Sequence, residues 1–122
     1  MNDNGRQTRV ALNRMVDALR VLRSYHPTIE SQTAQLFLEI ARVSEGDEGI
    51  HMKDLAESVG IAQSSASRSI ALLSRWLKHG TEGLDWVKAE EDPMNRRLKT
   101  LKLTAKGERV KHEVARAIGG NR

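Results

Sequence analysis

The chain of 122 residues has no cysteine. Disulfides, thiolate zinc sites and cysteine redox chemistry are therefore excluded. Aromatic side chains are scarce, at 3% of the sequence: Tyr25, Phe37, Trp76 and Trp86. No cluster of them provides platforms for stacking bases, which argues against recognition of RNA. No hydrophobic run approaches the roughly 20 residues that cross a bilayer. The opening "MNDNGRQTRV" lacks the apolar stretch of a secretory signal, so a cytoplasmic location is the expectation. A chain of this length is expected to form one domain, residues 1–122, with a sizeable core.

Signals for catalysis are equally thin. His26, His51, His79 and His112 are scattered singly, without the i, i+4 spacing that places two ligands on one helix face. The glycines of "GDEG" and "GTEG" fit neither nucleotide-binding fingerprint. Three carboxylates stand together in "EED" at 90–92. Beside a turn, such acids are ordinarily solvated rather than catalytic. The expectation is a protein that is not an enzyme and carries no metal or cofactor.

What the sequence does have is polarised charge. The net charge is +4, but residues 28–60 hold two basic groups against seven acidic ones, a net of −5. Residues 61–112 hold eleven basic groups against six acidic, a net of +5. Between 96 and 111, Arg96, Arg97, Lys99, Lys102, Lys106, Arg109 and Lys111 face only Glu108. One strongly basic region is the electrostatic footprint of a polyanion binder. A solvated charged surface is the plainer alternative.

Hydrophobic spacing predicts helices first. Over residues 7–24, Leu12, Met15, Val16, Leu19 and Leu22 recur at helical intervals, and the residue before Pro27 avoids the α region, ending that helix. A second helix begins near Glu30 or Ser31 and carries Leu36, Phe37, Ile40 and Ala41 as far as the polar loop at 45–49. Met52, Leu55, Ala56 and Val59 form a short amphipathic helix closed by Gly60. In "GIAQSSASRSIALL" (60–73), Ala66, Ile70, Leu73 and, further on, Leu77 share one stripe. Ser64, Ser67, Arg68, Ala71 and Arg75 share the opposite one, with Gln63 at the entrance.

Two short helices joined by a glycine-containing turn read as a helix-turn-helix, placed at 52–77. A helix that enters the major groove needs short hydrogen-bonding groups for close approach, and its free N–H groups favour phosphate. Gln63 and Arg68 are long enough for base edges, while Ser64, Ser65 and Ser67 suit bases or phosphates. A capping serine cluster on an ordinary surface helix is the competing explanation.

The segment "LDWVKAEEDPMNRRLKTLKLT" (84–104) then supplies two β-prone runs around a polar turn, with Leu101 and Leu103 alternating with lysines. A basic hairpin directly after a helix-turn-helix is a wing, and its arginine suits a narrow, electronegative minor groove. A last helix over 105–118 aligns Val110, Val114, Ala117 and Ile118. The expected fold class is mainly α with a small β-wing: a winged helix-turn-helix with N-terminal and C-terminal dimerisation helices.

This order of elements resembles the MarR family of winged-helix transcription regulators. "AQSSASR" (62–68) is similar to the start of the family's recognition helix. "DPMNRRLKTLKLTAKG" (92–107) is similar to its wing ending, with Leu103, Thr104 and Gly107 in the Leu-Thr-x-x-Gly pattern. The resemblance spans about residues 28 to 112. It implies that Arg97 is the arginine of the minor groove, oriented by the residue at 95. Here Asn95 replaces the family's aspartate and accepts a hydrogen bond without charge assistance.

Two departures stand out. "SRWLKHGTEGLD" (74–85) is longer than the family's passage from recognition helix to wing; either the helix runs on through Leu77 or an extra loop intervenes. The family ends in longer helices that frame a pocket for small aromatic anions. With a short tail after Ile118 and few aromatics, such an effector is not expected here.

The resulting expectation is a dimeric, sequence-specific regulator of double-stranded DNA, acting as a repressor. Gln63, Ser64, Ser65, Ser67 and Arg68 would read the major groove. Arg96 and Arg97, with Asn95 behind them, would engage the minor groove; Arg75, Lys99 and Lys102 would contact phosphates. Leu12, Met15, Val16, Leu19, Leu22, Val110, Val114 and Ile118 would form a symmetric interface. The alternative is a phage or plasmid accessory protein that uses the same winged helix for DNA architecture.

Overall fold

A computed structural model describes residues 3–44, 49–78 and 80–119, without the side chains of Asp3, Trp76, Leu77, Lys78 and Arg96. Residues 45–48, which belong to the polar loop expected at 45–49, and His79 lie outside the described residues. Where the sequence suggests one domain, the chain's contacts gather into two compact units. One is Met1–Ile29 with Val110–Arg122, the other Glu30–Arg109.

The second unit holds three helices, α2 (Ser31–Ser44), α3 (Met52–Val59) and α4 (Gln63–Leu73), and a small antiparallel sheet. The sheet comprises β1 (Ile50–His51), β4 (Val87–Asp92) and β5 (Asn95–Leu103), ordered β1-β5-β4. A separate hairpin pairs β2 (Trp76–Lys78) with β3 (Thr81–Glu82). The register sets Ile50 beside Leu101, and Val87 beside Leu103.

The apolar stripes converge as their spacing requires. Leu36, Phe37 and Ile40 of α2, Leu55 of α3, Leu73 of α4, Trp86 and Leu101 are all fully buried. Phe37 and Trp86 pack as tilted rings with centroids 4.9 Å apart, a favoured aromatic geometry. Inside this apolar shell Thr33 of α2 is also buried, and its hydroxyl donates to Ser69 Oγ of α4 at 3.1 Å.

Helix α4 is shorter than the apolar stripe suggests. It ends at Leu73, and Leu77 belongs to strand β2. Residues 83–86 are the cause, because they return to the helix end. Leu84 N–H donates to Leu72 O, Trp86 N–H to Leu73 O, and Asp85 N–H to Ser74 O, at 2.8, 2.8 and 3.1 Å. The last carbonyls of a helix have no partner within it. Here the returning segment 84–86 supplies donors to the helix end, so the stretch 74–85 is a hairpin stitched to the helix terminus.

The start of α5 (Ala105–Ala117) explains the Leu-Thr-x-x-Gly pattern physically. Thr104 Oγ1 donates to Asp85 O at 2.6 Å and accepts from Gly107 N–H at 3.0 Å, capping the helix. A side chain on Gly107 would collide with the Trp86 carbonyl. Glycine is therefore required by the close approach of this helix turn to the strand.

The first unit contains α1 (Asp3–Tyr25) and the greater part of α5. Tyr25 OH donates to Glu113 Oε1 at 2.6 Å, joining the two helices. Ala18, Leu22, Val110 and Val114 are buried. This corrects the expectation for three interface residues: Leu22, Val110 and Val114 lie in the chain's own core, where they offer no surface to a partner. Leu12, Met15, Val16 and Leu19 remain exposed, as does Ile118 at the end of α5.

Candidate nucleic-acid interface

Helix α3 stops because Gly60 takes the left-handed conformation, φ 82°, and its N–H returns to Ala56 O at 2.9 Å. Glycine adopts that region without the steric cost of a Cβ. Gly60, Ile61 and Ala62 then form the whole turn before α4 begins at Gln63. This three-residue connection is the tight joint of a helix-turn-helix.

No side chain caps the start of α4, where Ala62 occupies the N-cap position. The first-turn N–H groups thus face outward beside Gln63 and Ser64, both exposed. Such a terminus favours an anion through its unpaired donors and the helix dipole. Ser67 and Arg68 are exposed on the following turn, while Ala66, Ile70 and Leu73 are buried beneath them.

Two of the four serines behave differently from the rest. Ser69 turns inward to Thr33. Ser65 is half-buried and accepts from Arg68 Nη2 at 3.3 Å. Arg68 is therefore laid back along its own helix, bordering a polar cleft of about 330 Å³ with Glu30, Gln32, Thr33, Ser65, Ser69 and Leu72. Arg75 is exposed but lies beyond the helix end. The expectation that it continues the α4 stripe is corrected for that reason.

Strands β4 and β5 form the wing, pairing Val87 to Leu103 at the base and Asp92 to Asn95 at the tip. The register slips between Glu91 and Asp92, so Arg96 and Arg97 belong to β5, not to the connecting turn itself. The Arg96 side chain lies outside the described residues. Arg97 is exposed, and among the described residues its guanidinium takes part in no ion pair.

Asn95 does orient this segment, by a different bond from the one expected. Its Oδ1 accepts from the backbone N–H of Arg97 at 3.1 Å, so it fixes the strand rather than the guanidinium. Lys99 and Lys102 are committed to wing carboxylates. Lys99 Nζ lies 3.8 Å from Glu91, and Lys102 Nζ 3.6 Å from Glu90, which also meets Lys88 at 3.3 Å. Lys88 most strongly, and Lys102 with it, hold the Glu90 carboxyl below its ordinary range.

The sequence reading missed the residues that anchor the tip. Asp92 Oδ1 accepts from Met94 N–H at 2.8 Å, and Asp92 Oδ2 lies 2.8 Å from His51 Nε2 of β1. The backbone bond from Met94, followed by the His51 contact, lowers the Asp92 carboxyl from its ordinary value. An aspartate before proline at a turn is a local signal for the first of these bonds. Nothing local announces the second.

Among the described residues no three His, Asp or Glu side chains are grouped to hold a metal ion. No described helix is long and apolar enough to cross a membrane.

The sequence matches no protein-family model and no curated protein. Solved structures do match. The MepR–DNA complex of S. aureus is 14% identical, over 90% of this chain and 79% of that one, with a TM-score of 0.68. The transcriptional regulator Tm0710 from Thermotoga maritima is 21% identical, over 94% and 71%, with a TM-score of 0.69. MarR is 20% identical, over 96% and 75%, with a TM-score of 0.60. Over most of its length the chain thus has the fold of these MarR-family regulators.

Proposed function

We propose that the chain is a sequence-specific regulator of transcription that binds double-stranded DNA as a dimer and represses by occluding a promoter. The observation that carries this reading is the exposed polar start of α4, uncapped and lined by Gln63, Ser64, Ser67 and Arg68, in the same compact unit as a wing that carries the exposed Arg97. The fold likeness to a MepR–DNA complex supports it.

In this reading α4 enters the major groove. Gln63 and Arg68 have the reach for base edges; Arg68 must first leave Ser65, a weak exposed contact that costs little to break. Ser64, Ser65 and Ser67 approach closely enough to bond bases or phosphates. Arg97 enters the minor groove, where negative potential is focused. Arg75, Lys99 and Lys102 contact phosphates and set the salt dependence, with Arg96 beside them on the strand.

The exposed apolar residues Leu12, Met15, Val16 and Leu19 of α1, together with Ile118, form the contact between two copies. A two-fold dimer reads two half-sites about one helical turn apart.

The test is selection of duplexes from a randomised pool with the purified chain, followed by footprinting. A palindromic footprint, with binding that discriminates against scrambled duplex, is expected. Even coverage of any sequence would replace the regulator with an architectural DNA-binding protein.

A further inference from the structure

Hairpin turns are ordinarily polar, because their residues stand in water. The wing turn of this chain presents Met94 instead. It is 92% exposed, against 61% for Leu12, the next most exposed of the large apolar residues described. One exposed apolar side chain needs no explanation by itself. The support beneath this one does.

Three constraints fix the backbone that carries it. Met94 N–H donates to Asp92 Oδ1, and the other oxygen of that carboxylate meets His51 Nε2 on β1. Pro93 restricts its own φ. On the far side, Asn95 Oδ1 accepts from Arg97 N–H. The turn is tied to its own strand and to a neighbouring one while its thioether is left in solvent. Arg97, three residues on, is exposed and in no ion pair among the described residues.

A rigid apolar tip three residues from an exposed arginine is complementary to a DNA minor groove. The groove's rims are phosphates, which attract the guanidinium, and its walls are sugar faces and base edges. Methionine is unbranched and polarizable, suited to an irregular gap. Methionine and proline are among the side chains that enter a base step from the minor groove and kink the duplex.

We propose that Met94, which follows Pro93 in the wing turn, is an apolar wedge that enters the minor groove beside Arg97 and bends the duplex there. The inference rests on the proposed DNA-binding function and adds a mode of recognition to it. A wedge reads no hydrogen-bond pattern. It favours steps that unstack readily, pyrimidine followed by purine, and so selects sequence through deformability.

The test uses the full chain and a duplex that it enriches from a randomised pool, labelled at both ends for energy transfer. Wild type should shorten the end-to-end distance by a bend of about 20–90°. Met94→Ala should bind about tenfold more weakly, the effect of leaving most of one methionine unburied, and should leave the duplex straight. Its salt slope should match that of wild type, whereas Arg97→Ala should reduce the slope by about one. Met94→Leu, which keeps an apolar side chain of similar size, should retain the bend. Equal affinity and equal bending by Met94→Ala would overturn the wedge and leave the DNA-binding function standing. Failure of the wild-type chain to enrich any duplex would overturn both.

Discussion

Asp92 and His51 clasp the wing tip from positions 41 residues apart, with Asp92 Oδ2 lying 2.8 Å from His51 Nε2. The Met94 N–H bond and this contact hold the Asp92 carboxyl below its ordinary value of 3.8. A carboxylate favoured in the folded state stabilises it fully above that ordinary value, and the contribution is lost as pH falls through the lower folded value. The Met94 amide resonance should therefore titrate with a midpoint below 3.8. In Asp92→Asn, which keeps an acceptor but cannot ionise, that titration should vanish. A midpoint at or above the ordinary value would show that the clasp does not form.

A second prediction concerns the paired lysines of the wing. Lys99 must exchange Glu91 for a phosphate if it contacts DNA, and exposed pairs of this kind contribute only about 0–1 kcal/mol. Glu91→Gln should strengthen duplex binding about two- to fivefold at low ionic strength, with the gain shrinking as salt screens the charges. Lys99→Ala should weaken all duplexes alike, while Arg68→Ala should cost about 1–3 kcal/mol and relax sequence preference. Anisotropy titrations on selected and scrambled duplexes, each over a salt series, separate the three. Equal losses for Arg68→Ala on both duplexes would remove it as a base reader.

The junction of wing and α5 should respond sharply to one methyl group. Gly107→Ala places a Cβ against the Trp86 carbonyl, and backbone cannot yield as a flexible side chain can. Overpacking of this kind costs about 1–3 kcal/mol. Thr104→Val, which removes the cap on Gly107 N–H and the bond to Asp85 O, should cost about 1 kcal/mol. Urea unfolding measures both, and a Gly107→Ala variant as stable as wild type would contradict the packing described.

The elements whose signals are local were legible in the sequence. Helix α3 is written in the spacing of Met52, Leu55, Ala56 and Val59 and in the stop at Gly60. The wing is written in the alternation of Leu101 and Leu103, both buried as that pattern requires. What escaped was decided by partners distant in the chain. Helix α4 ends at Leu73 because Leu84, Asp85 and Trp86 return to its last carbonyls, a fact that the stripe through Leu77 does not contain. Asn95 stands where the resemblance places it, yet its amide serves the backbone of Arg97. Likewise Leu22 and Leu12 share one hydrophobic periodicity, which says that both are apolar and not which neighbour covers each.

That last distinction yields the final prediction, because the two leucines should fail in different ways. Leu22 is fully buried, so Leu22→Ala should remove core packing and lower stability by about 2–5 kcal/mol whatever the protein concentration. Leu12 and Met15 are 61% and 60% exposed, so a single folded chain gains little from them. With Val16 and Leu19 they lie on one long helix, on the surface that the proposed two-fold dimer would bury. Leu12→Glu combined with Met15→Glu should leave the helical circular dichroism signal of a dilute sample intact while shifting sedimentation from dimer to monomer. The same variant should lose affinity for a two-half-site duplex far more than for a single half-site, because only the former depends on pairing. Wild type sedimenting as a monomer at high concentration would refute the interface. So would a double variant that remains dimeric, since the contact would then lie on another face.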